Sequence, residues 1–129
     1  MMEQPDALDY IPVKRKTGNK VFKRNGQQMG ITLLDFWSWS ASDLIGNAQR
    51  GILAEYIVAT ALGVAENVQE RWAPYDLRTR SGIKVEVKSG AYIQTWYQKA
   101  FSTICFSIRP SIGWDEQRQA RPRLASAVG

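Results

Sequence analysis

The chain has 129 residues, 44% of them hydrophobic, with 17 basic against 12 acidic side chains for a net charge of +5, no histidine and one cysteine. That length gives room for one domain with a modest core, and the composition is ordinary for a globular chain. Without histidine and with one cysteine, catalytic triads, cysteine–histidine dyads and zinc sites of the usual kind are poorly supported, which leaves carboxylates and lysines as the credible reactive groups.

The charge is unevenly spread. Residues 1–30 carry six basic and three acidic groups, residues 31–108 seven of each, and residues 109–129 four basic and two acidic. The excess sits in Lys14-Arg15-Lys16, Lys20, Lys23-Arg24 and the arginines of the tail. A solvated charge run is the commoner meaning of such stretches; salt-sensitive attraction to phosphates is the alternative. Residues 1–30 thus read as a polar, basic, partly flexible segment, residues 31–108 as the core, and residues 109–129 as an irregular or disordered tail. The opening ten residues are acidic and polar with no signal-peptide core, and no stretch approaches the apolar length of a membrane span. The expectation is a soluble cytoplasmic protein that does not meet a membrane.

The longest helical pattern follows Ser40, Ser42 and Asp43, whose oxygens suit an N-cap. Leu44, Ala48, Ile52, Tyr56 and Ala59 recur at helical spacing, and Gly63 is placed to end the run. Glu55 falls inside this helix among apolar neighbours, so the helix is expected to be buried on most sides and the acid to need a partner. Either Arg50 or Arg71 pairs with it, or it faces a polar site.

Next, Tyr75-Asp76-Leu77-Arg78 alternates apolar and polar residues, and Arg80-Ser81-Gly82 is a turn signal before Ile83-Lys84-Val85-Glu86-Val87-Lys88. These features predict a β-hairpin. On an extended strand Ile83, Val85 and Val87 face one way while Lys84, Glu86 and Lys88 face the other, so Glu86 and Lys88 sit side by side. Such a pair is commonly just the solvated face of a half-buried strand. The chemical alternative is a carboxylate holding a divalent cation beside an ammonium that polarises water. Asp76 is either a turn residue or, across the hairpin and near its open end, a second carboxylate for the same hard cation, with Mg²⁺ the expected ion. No phosphate-cradling glycine loop is present.

Residues 91–98 mix aromatics with glutamines. Trp96 and Tyr97 are more often packing residues of this kind, with nucleic-acid contact the alternative. Residues 101–108 then read as a third strand and a core element, with Cys105 as a buried small hydrophobe.

A helix-borne Glu55, a strand-borne Asp76 and then Glu86-Val87-Lys88 resemble, in that order, the PD-(D/E)XK nuclease superfamily. Residues 35–108 also resemble a group of small bacterial proteins with this pattern: an aromatic opening like Asp35-Phe36-Trp37-Ser38-Trp39, a helix running from Arg50-Gly51 to Glu55-Tyr56, a Tyr75-Asp76 strand and a Lys88-Ser89-Gly90 continuation. One departure is that proline lies two positions before the aspartate, as Pro74-Tyr75-Asp76.

The resemblance implies a restriction-endonuclease-like α/β core: a helix, then the hairpin and third strand in a mixed sheet. It further implies that Asp76, Glu86 and the Val87 carbonyl bind Mg²⁺, with Mn²⁺ as a substitute. Lys88 would help activate the attacking water, and Glu55 would orient a water or assist a second ion. The implied reaction is phosphodiester hydrolysis in DNA, with Arg50, Gln94 and Gln98 as nucleic-acid contacts and a homodimer as the assembly. Folds of this kind add a helix and a strand after the third strand, whereas Pro110, Gly113 and Pro122 interrupt residues 109–129. A C-terminally truncated core is therefore expected, and a catalytically inactive remnant or nucleic-acid-binding module on the same scaffold is the alternative function.

Overall fold

In a computed structural model that describes residues 11–108, the first element is a hairpin built around two residues of positive φ. Asn25 (φ 50°) and Gly26 (φ 77°) join β1 (Val21–Arg24) to β2 (Gln27–Thr32). Positive φ at both central positions defines a type I′ turn, whose twist matches that of the flanking strands. Arg24 pairs with Gln27 and Lys23 with Gln28; then the register shifts, so that Val21 faces Thr32. Within the stretch read from sequence as a polar basic segment, strand pairing thus begins at Val21, while residues 1–10 lie outside the described residues.

Thr32 ends β2 and starts α1 (Leu33–Ala41) as its N-cap. The Asp35 N–H donates to Thr32 Oγ1 at 3.3 Å, and Asp35 Oδ2 accepts from the Thr32 backbone N–H at 2.7 Å, a reciprocal capping box. A helix leaves its first N–H groups without internal partners. Here Leu33 N–H donates to Lys20 O (2.8 Å) and Leu34 N–H to Gly18 O (2.9 Å), so the helix start is tied to the turn ahead of β1.

α2 (Asn47–Ala61) begins later than the sequence pattern predicts. Asp43 Oδ1 accepts from Ile45 N–H (3.1 Å) and Gly46 N–H (2.9 Å), a local turn that competes with helix, while Ser40 belongs to α1. The C-terminus is as predicted. Gly63 has φ 69°, its N–H donates to Thr60 O, and Val64 N–H donates to Ala59 O, which together close the helix in a Schellman motif.

β3 (Leu77–Arg78) and β4 (Lys84–Val85) pair antiparallel, Leu77 with Val85 and Arg78 with Lys84, in the hairpin expected. The architecture is a small mixed α/β protein: two helices and two separate two-stranded antiparallel sheets among the described residues. Among the described residues the two hairpins do not join into a mixed sheet with a third strand. Residues 101–108 carry no strand, although Ser102 N–H donates to Tyr92 O (2.9 Å) and a Cβ on Gly90 would lie 3.1 Å from Ile104 Cγ2. The segment returns beside residues 90–92 without a ladder. Its alternation therefore defines no buried face: Phe101, Phe106 and Ile108 are exposed, and so is Cys105, against the expectation of a core strand.

Burial is slight elsewhere too. α2 is not buried on most sides; Tyr56 and Ile57 are exposed, and Ala59 is the buried hydrophobic residue of the described part. The tail, residues 109–129, lies outside the described residues. No helix among the described residues is long and apolar enough to cross a membrane.

The capping box yields a stability prediction. Thr32→Ala should lower unfolding stability by about 1 kcal/mol in urea titrations. Hydrogen bonds from the Thr32 backbone N–H and then its hydroxyl hold the Asp35 carboxyl below the ordinary aspartate value. A depressed carboxyl stabilises above its unfolded pKa, and the benefit fades as pH falls toward its folded pKa, so the wild-type advantage over Thr32→Ala should shrink on acidification.

Candidate metal centre

Two arginines converge on the loop that follows α2, one from the β3–β4 turn and one from the segment before β1. Arg80, in the β3–β4 turn, donates through Nη2 to Gly63 O (2.8 Å) and to Glu66 Oε1 (2.8 Å), and through Nε to Gly63 O (3.3 Å). Arg15 donates to Ala65 O and Glu66 O in the same loop (2.9 and 3.0 Å). A cation on the last carbonyls of a helix also suits its dipole. From that anchor both elements run back toward the site. Glu55 lies eight residues before Gly63 on α2, about 12 Å at the helical rise. Asp76 lies four residues before Arg80, just ahead of β3. Both acids line an open cleft of about 200 Å³ between α2 and the approach to β3.

At the open end of the hairpin the Asp76 N–H donates to Val85 O (3.1 Å), and Asp76 Oδ2 accepts from Val87 N–H at 2.6 Å. Extending the Leu77–Val85 register would give Val87 N–H a carbonyl from Tyr75; the Asp76 carboxylate takes that role instead. It is thereby fixed against the residue between Glu86 and Lys88. Along residues 84–88, which run on beyond β4, Val85 and Val87 are half-buried while Lys84, Glu86 and Lys88 are exposed; Ile83, expected on the face of the two valines, is exposed. Lys84 Nζ lies 5.5 Å from the centre of the Tyr75 ring.

Lys88 Nζ forms a short hydrogen-bonded ion pair with Glu86 Oε1. That hydrogen bond first, then the charges of Glu86 and Asp76, raise the Lys88 pKa above the ordinary lysine value against a lowering effect of desolvation. Lys88 is therefore an ammonium at neutral pH, suited to orienting and polarising a water rather than to taking its proton.

Glu55 pairs with neither arginine considered from sequence. Gln69 Nε2 donates to Glu55 Oε2, and the acid faces the polar cleft. Arg50 instead ties the start of α2 to a later loop, with Nη1 donating to Ile45 O (2.9 Å) and Gln94 Oε1 (3.3 Å) and Nη2 to Asn47 Oδ1 (2.9 Å). Gln94 Nε2 donates to Ala91 O, and Gln98 Nε2 to Tyr92 O and Ser102 Oγ. These three residues, read as nucleic-acid contacts, are employed in holding the loop over residues 91–102.

The acids are hard oxygen donors of the type Mg²⁺ takes, and that ion commonly keeps several waters beside one or two carboxylates. Among the described residues no three acidic, cysteine or histidine side chains gather closely enough to hold a metal as a set. The chain brings together Glu55 with Asp76 on the cleft, and Glu86 with Lys88 just beyond β4, with Val87 linking the two groups. The donor set fits an ion held by two carboxylates and water. Gln69, Glu70 and Arg71 also line the cleft, and of these only Arg71 stood out in the sequence, as a partner for Glu55. The signal for the others is a polar run immediately before Trp72 and the Tyr75-Asp76 strand.

No family model, curated protein or solved structure matches this chain.

The raised lysine pKa gives a titration test. In a chemically labelled lysine spectrum Lys88 should lose its proton above the ordinary lysine value of about 10.4. Glu86→Gln should bring that titration down; an unchanged midpoint would remove Glu86 as its cause.

Proposed function

We propose that this chain is a Mg²⁺-dependent nuclease of the PD-(D/E)XK type, acting on DNA from a restriction-endonuclease-like core. The observation that carries the reading is the Asp76 carboxylate hydrogen-bonded to Val87 N–H, inside Glu86-Val87-Lys88, with Glu55 on the same cleft as Asp76. In this reading Asp76, Glu86 and the Val87 carbonyl hold the ion. Bound there, Mg²⁺ supplies Lewis acidity to a phosphoryl oxygen and lowers the pKa of the attacking water. Lys88, charged through its pairing with Glu86, turns the water's lone pair toward phosphorus, and Glu55 accepts a proton from it. Water oxygen bonds to phosphorus, one P–O ester bond opens, and the departing alkoxide is protonated by solvent.

A second reading, a nucleic-acid-binding module without catalysis, is favoured by the ion pair that occupies Glu86 and by the lack of a converged three-acid set among the described residues.

Degradation of plasmid and oligonucleotide DNA separates the two. The wild-type chain should cleave with Mg²⁺ and not with EDTA, and Glu86→Ala and Lys88→Ala should each lower the rate roughly 10²-fold or more. Equal cleavage by all three proteins would trace the activity to a contaminant. Binding without cleavage by the wild type would establish the module instead.

A further inference from the structure

The cleft shared by Glu55 and Asp76 is also lined by Glu70 and Arg71, so its wall carries three carboxylates and one guanidinium. Arg71 nevertheless makes no ion pair with any of them; the two ion pairs among the described residues are Arg80–Glu66 and Lys88–Glu86. Glu55 has its hydrogen bond from Gln69, and Asp76 has its own from Val87. Both acids are thus engaged by uncharged donors, and the one cation on the wall is left with its donors available.

An arginine fork matches the non-bridging oxygens of a phosphodiester, to which it can donate two parallel hydrogen bonds. The surrounding charge decides when it can do so. With three carboxylates against one guanidinium, the formal charge of the wall is −2, which repels a phosphate. A divalent cation brings the wall to neutrality and leaves Arg71 as the outward-facing donor. We propose that Arg71 is the phosphate anchor of this cleft, and that it binds a nucleic-acid phosphodiester only after a divalent cation has offset the carboxylates. This assignment rests on the cation site of the reading above and adds a ligand-binding residue and an order of binding to it. Cation and phosphate then raise each other's affinity, because a coupling free energy between two ligands is reciprocal.

The test is equilibrium binding of a fluorescent oligonucleotide to the full chain in Ca²⁺ or in EDTA, at constant ionic strength. Wild type should bind roughly tenfold or more tightly with Ca²⁺ than with EDTA, and Arg71→Ala should lose most of that increment while Arg71→Lys keeps part of it. Glu70→Gln removes one negative charge without removing a proposed ligand, so it should strengthen binding in EDTA. An undiminished Ca²⁺ increment in Arg71→Ala would overturn the assignment, as would a wild type that binds equally well in EDTA or binds in neither condition. Arg71-dependent, Ca²⁺-linked binding in a chain that never cleaves DNA would support the anchor and refute hydrolysis. Mg²⁺-dependent cleavage with Arg71-independent binding would refute the anchor alone.

Discussion

The contact on which the site depends is the grip of Arg80 on the carbonyl of Gly63. Gly63 closes α2 in the left-handed conformation, so its backbone oxygen projects at the helix end, where a cation is favoured by the dipole. Arg80 is in the turn of the second hairpin, so this contact ties that turn to the end of α2. Glu55, eight residues before Gly63, and Asp76, four residues before Arg80, both line one cleft. The accompanying ion pair to Glu66 is well exposed and contributes little alone; the oriented bonds to a helix-terminal carbonyl carry the geometry.

Local polar contacts of this sort, more than apolar burial, organise the described residues. The capping box of α1 and the Schellman closure of α2 satisfy groups that an element end would leave open, and the Arg50 tie to Gln94 and the arginine clamps join segments distant in sequence. Ala59, the buried hydrophobic residue, lies at the very carbonyl that receives the Val64 N–H in the closure of α2. Large apolar side chains, Trp39 at 86% exposure among them, stand on the surface. The site is accordingly framed by backbone groups whose positions follow from caps and turns, while its own side chains remain open to solvent.

That division explains what could be read in the sequence. The hairpin around Arg80 to Gly82, the termination at Gly63 and the alternation of Val85 and Val87 with Lys84, Glu86 and Lys88 all rest on local rules, and local rules are written in neighbouring residues. Asn25-Gly26 is an equally local hairpin signal, yet the basic charge around it suggested a solvated segment. Two readings diverged, the strand at residues 101–108, which needs a distant partner, and the start of α2, where a local turn competes. The apolar alternation of residues 101–108 becomes a strand only where a neighbour offers a ladder, and Tyr92 offers one bond. Asp43 caps a turn rather than α2 because Ile45 and Gly46 N–H groups reach its carboxylate first. Gln94 and Gln98 turn inward because the loop has carbonyls and hydroxyls to satisfy them, which spacing alone does not reveal.

The pairing of Glu86 with Lys88 bears most directly on chemistry. Alternation carried past the end of β4 leaves an acid and an ammonium side by side whatever their purpose, and the pair has two consequences. It keeps Lys88 charged, which suits polarising a water and rules against proton abstraction by that residue at neutral pH. It also engages one oxygen of Glu86, so the second oxygen is the one available to a cation. Asp76 is in the same position, with Oδ2 taken by the Val87 N–H. In the proposed reading each carboxylate would offer one free oxygen, and Mg²⁺, which retains several of its own waters, is the ion that such donors would suit.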